Sequence, residues 1–125
     1  MKFTEHRDSN VFVIKRYKAG EVIINDKKIT SSCFLSQHEL VENWDCDDIK
    51  KLDIEQLSKL YSLKPEVIIL GTGETQVFPN PQFFAHCAQQ GTGLEVMSNH
   101  AACRTYNILT TEDREVVLAL IMKKN

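Results

Sequence analysis

Short apolar runs followed at once by glycine-bearing or polar turns are the main pattern of the C-terminal half. The run 67–70 is entirely aliphatic and leads into Gly71–Gly73, and the run 94–97 leads into Ser98. A short all-apolar run is typical of a strand that is covered on both faces of a sheet. If both runs are parallel strands, both turns open at the same edge of one sheet, where α/β folds usually bind their ligands.

The N-terminal pattern is different. The first 40 residues contain short runs rich in β-branched and aromatic residues, separated by turn-forming residues such as Gly20 and Asn25. This pattern predicts an antiparallel meander, in which 33–35 is a further hairpin partner. Residues 1–10 are polar, and we expect them to form a flexible N-terminus.

Three helix starts can be recognised after residue 50. Asp53 and Gln56 form a capping-box pattern before an apolar helical face, which follows an acidic connector at 39–52. Asn80 stands directly before a proline, which favours a second helix, and Ser98 or Asn99 can cap a third.

A closing strand over 116–122 completes the alternation of strands and helices. We therefore predict an α/β fold for 11–125. It is a three-layer single domain with a mixed central sheet, helices packed on it and the N-terminal antiparallel meander.

Composition narrows the classes of function. The 125 residues carry 15 basic and 17 acidic side chains, and the basic ones form no stripe, which argues against nucleic-acid binding. No apolar segment approaches the about 18–20 residues that span a bilayer, so membrane insertion is not expected. The N-terminus lacks signal-peptide features and the four cysteines show no C-x-x-C spacing, so we expect reduced thiols and a cytoplasmic location.

The turn Gly71–Gly73 permits two interpretations. It is too short for a phosphate loop and lacks the spacing of a dinucleotide fingerprint. Its glycines can simply let the chain leave a buried strand with unusual dihedral angles. Alternatively, their amides line an anion pocket to which Thr72 and Glu74 add polar groups.

The helix that starts near Ser98 is the second candidate element. Its free N-terminal amides favour an anion, and Arg104 can hold a carboxylate or phosphate, or else form a surface ion pair. Cys103 is either an inert half-buried residue or a thiolate whose pKa the helix dipole lowers, which makes it the one candidate nucleophile. The candidate ligand-binding residues are Gly71, Thr72, Gly73, Glu74, Ser98, His100 and Arg104.

No complete catalytic or metal motif is present. His100-x-x-Cys103 and the pair His86-Cys87 offer too few ligands for a zinc site, which normally has three or four. We find no nucleophile elbow and no paired-carboxylate motif. The sequence therefore predicts no metal and no cofactor.

The two turns together resemble a known family. The run 67–70 with Gly71–Gly73, the strand 95–97 and the block 101–109 are similar to a domain of unknown function. That family includes mitochondrial NADH dehydrogenase (complex I) assembly factor 3 and many short prokaryotic proteins. The resemblance covers about residues 10–122. It implies a three-layer α/β fold whose last strand runs antiparallel to its neighbours, and no established enzymatic activity.

Two functional hypotheses remain. The first is a non-enzymatic binding or assembly-factor-like module that acts through protein contacts at Gly71–Glu74 and Ser98–Arg104. The second is a binder of a small anion or metabolite, or an enzyme, that uses the same residues and Cys103. Protein partners are favoured, and a homodimer is left open.

Overall fold

The central sheet of the fold has five strands. The computed structural model describes residues 11–123, so the expectation of a flexible segment at 1–10 lies outside the described residues. Eight strands in two sheets lie within these residues: β1 (Ile14–Lys18), β2 (Glu21–Ile24), β3 (Lys27–Ile29), β4 (Cys33–Leu35), β5 (Leu40–Glu42), β6 (Val67–Gly71), β7 (Gly93–Met97) and β8 (Val116–Leu120). The five-stranded sheet has the order β5-β4-β8-β6-β7, and β1, β2 and β3 form a separate antiparallel sheet.

The helices begin at the predicted caps. They are α1 (Ile54–Ser58), α2 (Gln82–Gln89) and α3 (Asn99–Thr110), with single 3-10 turns at Ile49–Lys51 and Lys59–Leu63. Asp53 and Gln56 form the expected capping box. Asn80 Oδ1 accepts a hydrogen bond from the Gln82 amide at 2.9 Å. The Ser98 hydroxyl accepts one from the Ala101 amide, so Ser98 is the N-cap of α3.

Alternating residues of β6 and β8 form the two halves of the core. Val67 and Ile69 contribute to a cluster with α3 and the three-stranded sheet, whereas Ile68 and Leu70 contribute to a cluster with α1 and α2. Every residue of β6 and β8 is buried, as expected of strands that are covered on both faces. The predicted three-layer α/β fold with a mixed sheet is confirmed.

The predicted meander is confirmed for β1, β2 and β3 but not for 33–35. All three residues of β4 are buried, and the strand pairs with β5 and β8 in the large sheet. A strand with apolar groups on both faces is stabilised by a position between two layers, which the three-stranded sheet does not offer. In addition, β5 lies within the predicted connector.

The direction of the last strand differs from what the resemblance implied. β8 is antiparallel to β4 but parallel to β6. The physical reason is the helical crossover α3, which carries the chain back across the sheet after β7, so that β8 runs in the same direction as β6 and β7.

We predict that Leu118→Ala destabilises the protein by about 2–5 kcal/mol, because it removes a fully buried side chain from the central strand. Ile108→Ala on α3 is the matched control, since Ile108 is 59% exposed and its truncation should change stability by less than about 0.5 kcal/mol. Chemical denaturation measures both. Equal losses in the two variants would contradict the assignment of Leu118 to the core.

Candidate functional site

The two predicted turns meet at the carboxyl ends of β6 and β7. These strands are parallel, and Gly71 lies opposite Met97. The Thr72 amide donates to the Met97 carbonyl at 3.0 Å, and the Asn99 amide donates to the Gly73 carbonyl at 2.8 Å. The expectation that both turns open at one edge of the sheet is confirmed, and they are also bonded directly to each other.

The side chain of Asn99 joins the elements around this edge. Asn99 is fully buried, and its Oδ1 accepts from the Gly73 amide at 3.1 Å. Its Nδ2 donates to the Tyr17 hydroxyl at 3.1 Å and to the Ile121 carbonyl at 2.9 Å. A Cβ on Gly71 would stand 2.2 Å from Asn99 Oδ1, so glycine is required there by this close approach rather than by a positive φ.

This arrangement alters the anion-site expectation at the start of α3. The Asn99 amide is bonded to Gly73 and the Ala101 amide to the Ser98 hydroxyl, so these donors already have acceptors within the protein. These two amides are therefore not free to bind an anion, whereas the anion site expected around the two turns stays a prediction. The turn after β6 and the N-cap Ser98 approach the helix start closely enough to satisfy these two donors.

The predicted site residues separate into two groups. Thr72, Gly73 and Glu74 line a cleft of about 500 Å³, together with a segment around Asp47–Lys50 and the chain after β8. His100 and Arg104 are exposed one helical turn apart on α3 and do not line this cleft. Within residues 11–123, the ion pairs found do not include Arg104.

Tyr17 connects the cleft to Asn99. Its hydroxyl donates to Glu74 Oε2 at 2.5 Å, while it accepts from Asn99 Nδ2. Burial, followed by the hydrogen bond to the Glu74 carboxylate, raises the pKa of Tyr17 to about 12. The hydroxyl therefore stays protonated at neutral pH and holds the Glu74 side chain at the rim of the cleft.

A second cavity of about 340 Å³ adjoins the first. The two share Ile49, Lys50 and Val77 in their walls. Phe78 lines the second cavity and is 68% exposed. The sequence analysis did not identify these residues. The apolar pair Val77-Phe78 within an otherwise polar loop is nevertheless a pattern that indicates a contact surface.

Cys103 does not have the properties expected of a thiolate. It is 4% exposed and packs in the same cluster as Tyr106, and burial raises its pKa to about 12. The expectation of a lowered pKa is wrong, because the desolvation of a thiolate in this apolar layer outweighs any stabilisation by the helix dipole. Burial likewise raises the pKa of Cys33 to about 12 and that of Cys46 to about 11.

The histidine-cysteine pair on α2 is held by Tyr61. The Tyr61 hydroxyl lies 2.9 Å from His86 Nδ1 and 3.4 Å from Cys87 Sγ, and the Tyr61 and His86 rings are stacked. Among residues 11–123, no group of three or more His, Cys, Asp or Glu side chains is arranged to hold a metal ion. In the same range, no helix has the length and apolar character needed to cross a bilayer.

Comparison with known proteins identifies relatives of the whole fold. The model of a family described as "Protein of unknown function (DUF498/DUF598)" matches residues 14–121. The "13 kDa major membrane protein" of Francisella tularensis is 30% identical over 122 residues, which cover 97% of this chain and 99% of that protein. A solved structure from Xanthomonas campestris is 38% identical, with a TM-score of 0.81 over 89% of this chain and 84% of that one.

A eukaryotic relative supports the resemblance seen in the sequence. The Xenopus tropicalis protein named NADH dehydrogenase (ubiquinone) 1 alpha subcomplex assembly factor 3 is 31% identical over 118 residues, or 92% of this chain. The match spans only 64% of the length of that protein. The family resemblance is thus confirmed, together with its link to the assembly factor.

We predict that Asn99→Ala lowers the free energy of unfolding by about 2–4 kcal/mol, because it leaves the buried Ile121 carbonyl and the partly buried Gly73 amide without their partner. The comparison variant is Asn80→Ala, which removes an exposed helix cap and should cost about 1 kcal/mol. Urea denaturation distinguishes the two. A loss for Asn99→Ala no larger than that for Asn80→Ala would show that the buried network contributes little.

We predict that iodoacetamide modifies Cys103 of the folded protein much more slowly than free cysteine at pH 7.5, because the thiol is buried and its pKa is raised. Peptide mass spectrometry after timed quenching gives the rate for each cysteine. Unfolding in guanidinium chloride is the control and should bring all four cysteines to similar rates. Rapid labelling of Cys103 in the folded state would restore the nucleophile hypothesis.

Proposed function

The chain belongs to the DUF498/DUF598 family, and we propose that it is a non-enzymatic binding module of the assembly-factor type that acts by contact with a partner protein. The assembly factors named among its relatives support this class of function. The cytoplasmic location expected from the sequence is part of the proposal.

The observation that carries the proposal is the exposed aromatic ring of Phe78. Phe78 stands 68% exposed at the wall of one cavity and next to Val77, which lines both. Burial of an aromatic side chain contributes a large favourable free energy, and such residues often anchor protein interfaces. The charged groups of Lys50 and Glu74 around the cleft provide a polar rim, as in ordinary interfaces.

The thiol chemistry does not favour the enzymatic alternative. All four cysteines are buried, and the pKa of each is raised by desolvation. A nucleophile that is protonated at neutral pH and shielded from solvent reacts slowly. The proposal therefore gives the exposed surface, rather than Cys103, the functional role.

A small-metabolite binder is the second candidate. The cleft of about 500 Å³ lies in the usual size range of ligand pockets, and Thr72, Glu74 and Lys123 place hydroxyl, acidic and basic groups along it. A small ligand in this cleft would lie beside Glu74 and Val77 rather than between Gly73 and Arg104.

We predict that Phe78→Ala strongly reduces capture of a partner protein while leaving the fold intact, because the ring is exposed and is lost from the contact surface. Ile108→Ala, which truncates another exposed apolar side chain on α3, is the matched control and should retain capture. Affinity capture from native extract with chemical crosslinking, quantified by mass spectrometry, measures the ratio of the two variants to the original chain.

Equal capture by both variants would contradict a contact through Phe78.

A thermal-shift screen with phosphates, nucleotides and carboxylates tests the second candidate function, the binding of a small metabolite. A ligand at 100 times its dissociation constant stabilises the folded state by about 2.7 kcal/mol. The metabolite-binding proposal would replace the protein-binding one if a ligand gave such a stabilisation, if Glu74→Gln abolished it, and if no partner protein was captured.

A further inference from the structure

The outer edge of β7 presents backbone groups that point away from the sheet. β7 is the last strand in the order of the five-stranded sheet. The Gly93 amide donates to the Glu66 carbonyl at 2.9 Å, and the Met97 carbonyl accepts from Thr72, so the odd-numbered residues bond towards β6. Because backbone groups alternate in direction along a strand, those of Leu94 and Val96 point outward.

One of these outward groups already has a partner. Gln76 Nε2 donates to the Val96 carbonyl at 2.9 Å. Within residues 11–123, the hydrogen bonds found leave the Leu94 amide and carbonyl and the Val96 amide without a protein partner. Such a row of free groups is the template for pairing with another extended chain.

The two faces of β7 differ in chemistry. Leu94 and Val96 belong to the apolar layer that contains α2. Glu95 lies on the opposite face and is exposed. An added strand would therefore place apolar residues beside Leu94 and Val96, and its alternate residues beside the Glu95 carboxylate, where a basic side chain is favoured across the pair.

We propose that the β7 edge is a strand-addition site for an extended peptide segment of a partner protein, with alternating apolar and basic residues. This inference rests on the proposed function and deepens that function, because it specifies the extended form and the basic charge of one segment of the partner. The free groups of Leu94 and Val96 provide the main-chain bonds, and Glu95 selects the charge.

A second copy of this chain fits the edge less well. Antiparallel pairing of two β7 strands across a two-fold axis near Glu95 would bring the two Glu95 carboxylates together, and directly opposed like charges destabilise a strand pair. The other edge strand, β5, has only three residues, and its Glu42 already pairs with Lys27 of β3. These contrasts favour β7 and a basic partner segment.

The test is an NMR titration of the isotope-labelled protein with a capped octapeptide of alternating Val and Lys. We expect the Leu94 and Val96 amide resonances to shift and their hydrogen exchange to slow. A Val-Glu octapeptide should bind about two- to fivefold more weakly per cross-strand charge pair, because its carboxylates oppose Glu95. The Val-Lys peptide with alternate backbone amides N-methylated keeps its charge and should not protect these amides.

Variants locate the contact. Glu95→Lys should reverse the preference between the Val-Lys and Val-Glu peptides. Glu112→Lys, an equal charge change in the exposed turn after α3, should leave the preference unchanged. Gln76→Ala frees the Val96 carbonyl and should tighten binding about two- to tenfold.

The inference is overturned if no peptide protects Leu94 and Val96, if the N-methylated peptide protects them equally, or if they are protected only by concentration-dependent dimerisation. Loss of partner capture in Phe78→Ala together with unresponsive β7 amides would refute the edge site alone. Conversely, protection of these amides while Phe78→Ala captures normally would refute the Phe78 contact alone.

Discussion

The buried side-chain carboxamide of Asn99 is the constraint on which the arrangement at the carboxyl ends of β6 and β7 depends. It uses its oxygen for the Gly73 amide and both amide hydrogens for Tyr17 and Ile121. A buried amide can be satisfied in this way only if the turn after β6, the strand β1 and the end of β8 all hold their positions. Gly71 belongs to the same constraint, because a larger residue would occupy the space of the Asn99 oxygen.

Contact between the two turns determines where the accessible cleft lies. A typical α/β edge leaves space for a ligand between adjacent strand ends. Here that space is taken by contacts between Gly73 and Asn99, and the accessible cleft lies instead along the loop 72–80 and the segment 47–50. The exposed ring of Phe78 is a consequence of the same loop, which crosses the surface before α2 begins.

The sequence predicted what depends on local pattern and missed what depends on distant contacts. The buried runs of β6 and β8 and the caps at Asp53 and Ser98 could be read directly, because spacing and residue type determine them. The pairing of β4 with β8 joins residues more than 80 positions apart. The pKa of Cys103 depends in the same way on what covers it, which no local pattern around a helix start shows.

Gln76 links the two surfaces proposed for partner contact. It belongs to the loop that carries Phe78, yet its side chain reaches the outer edge of β7 and covers the Val96 carbonyl. An exposed edge strand invites unwanted pairing, and Gln76 with the charge of Glu95 limits that pairing without burying the edge. A partner that draws the Phe78 loop into an interface would also displace this glutamine, so that contact at the loop and strand addition at β7 would favour each other.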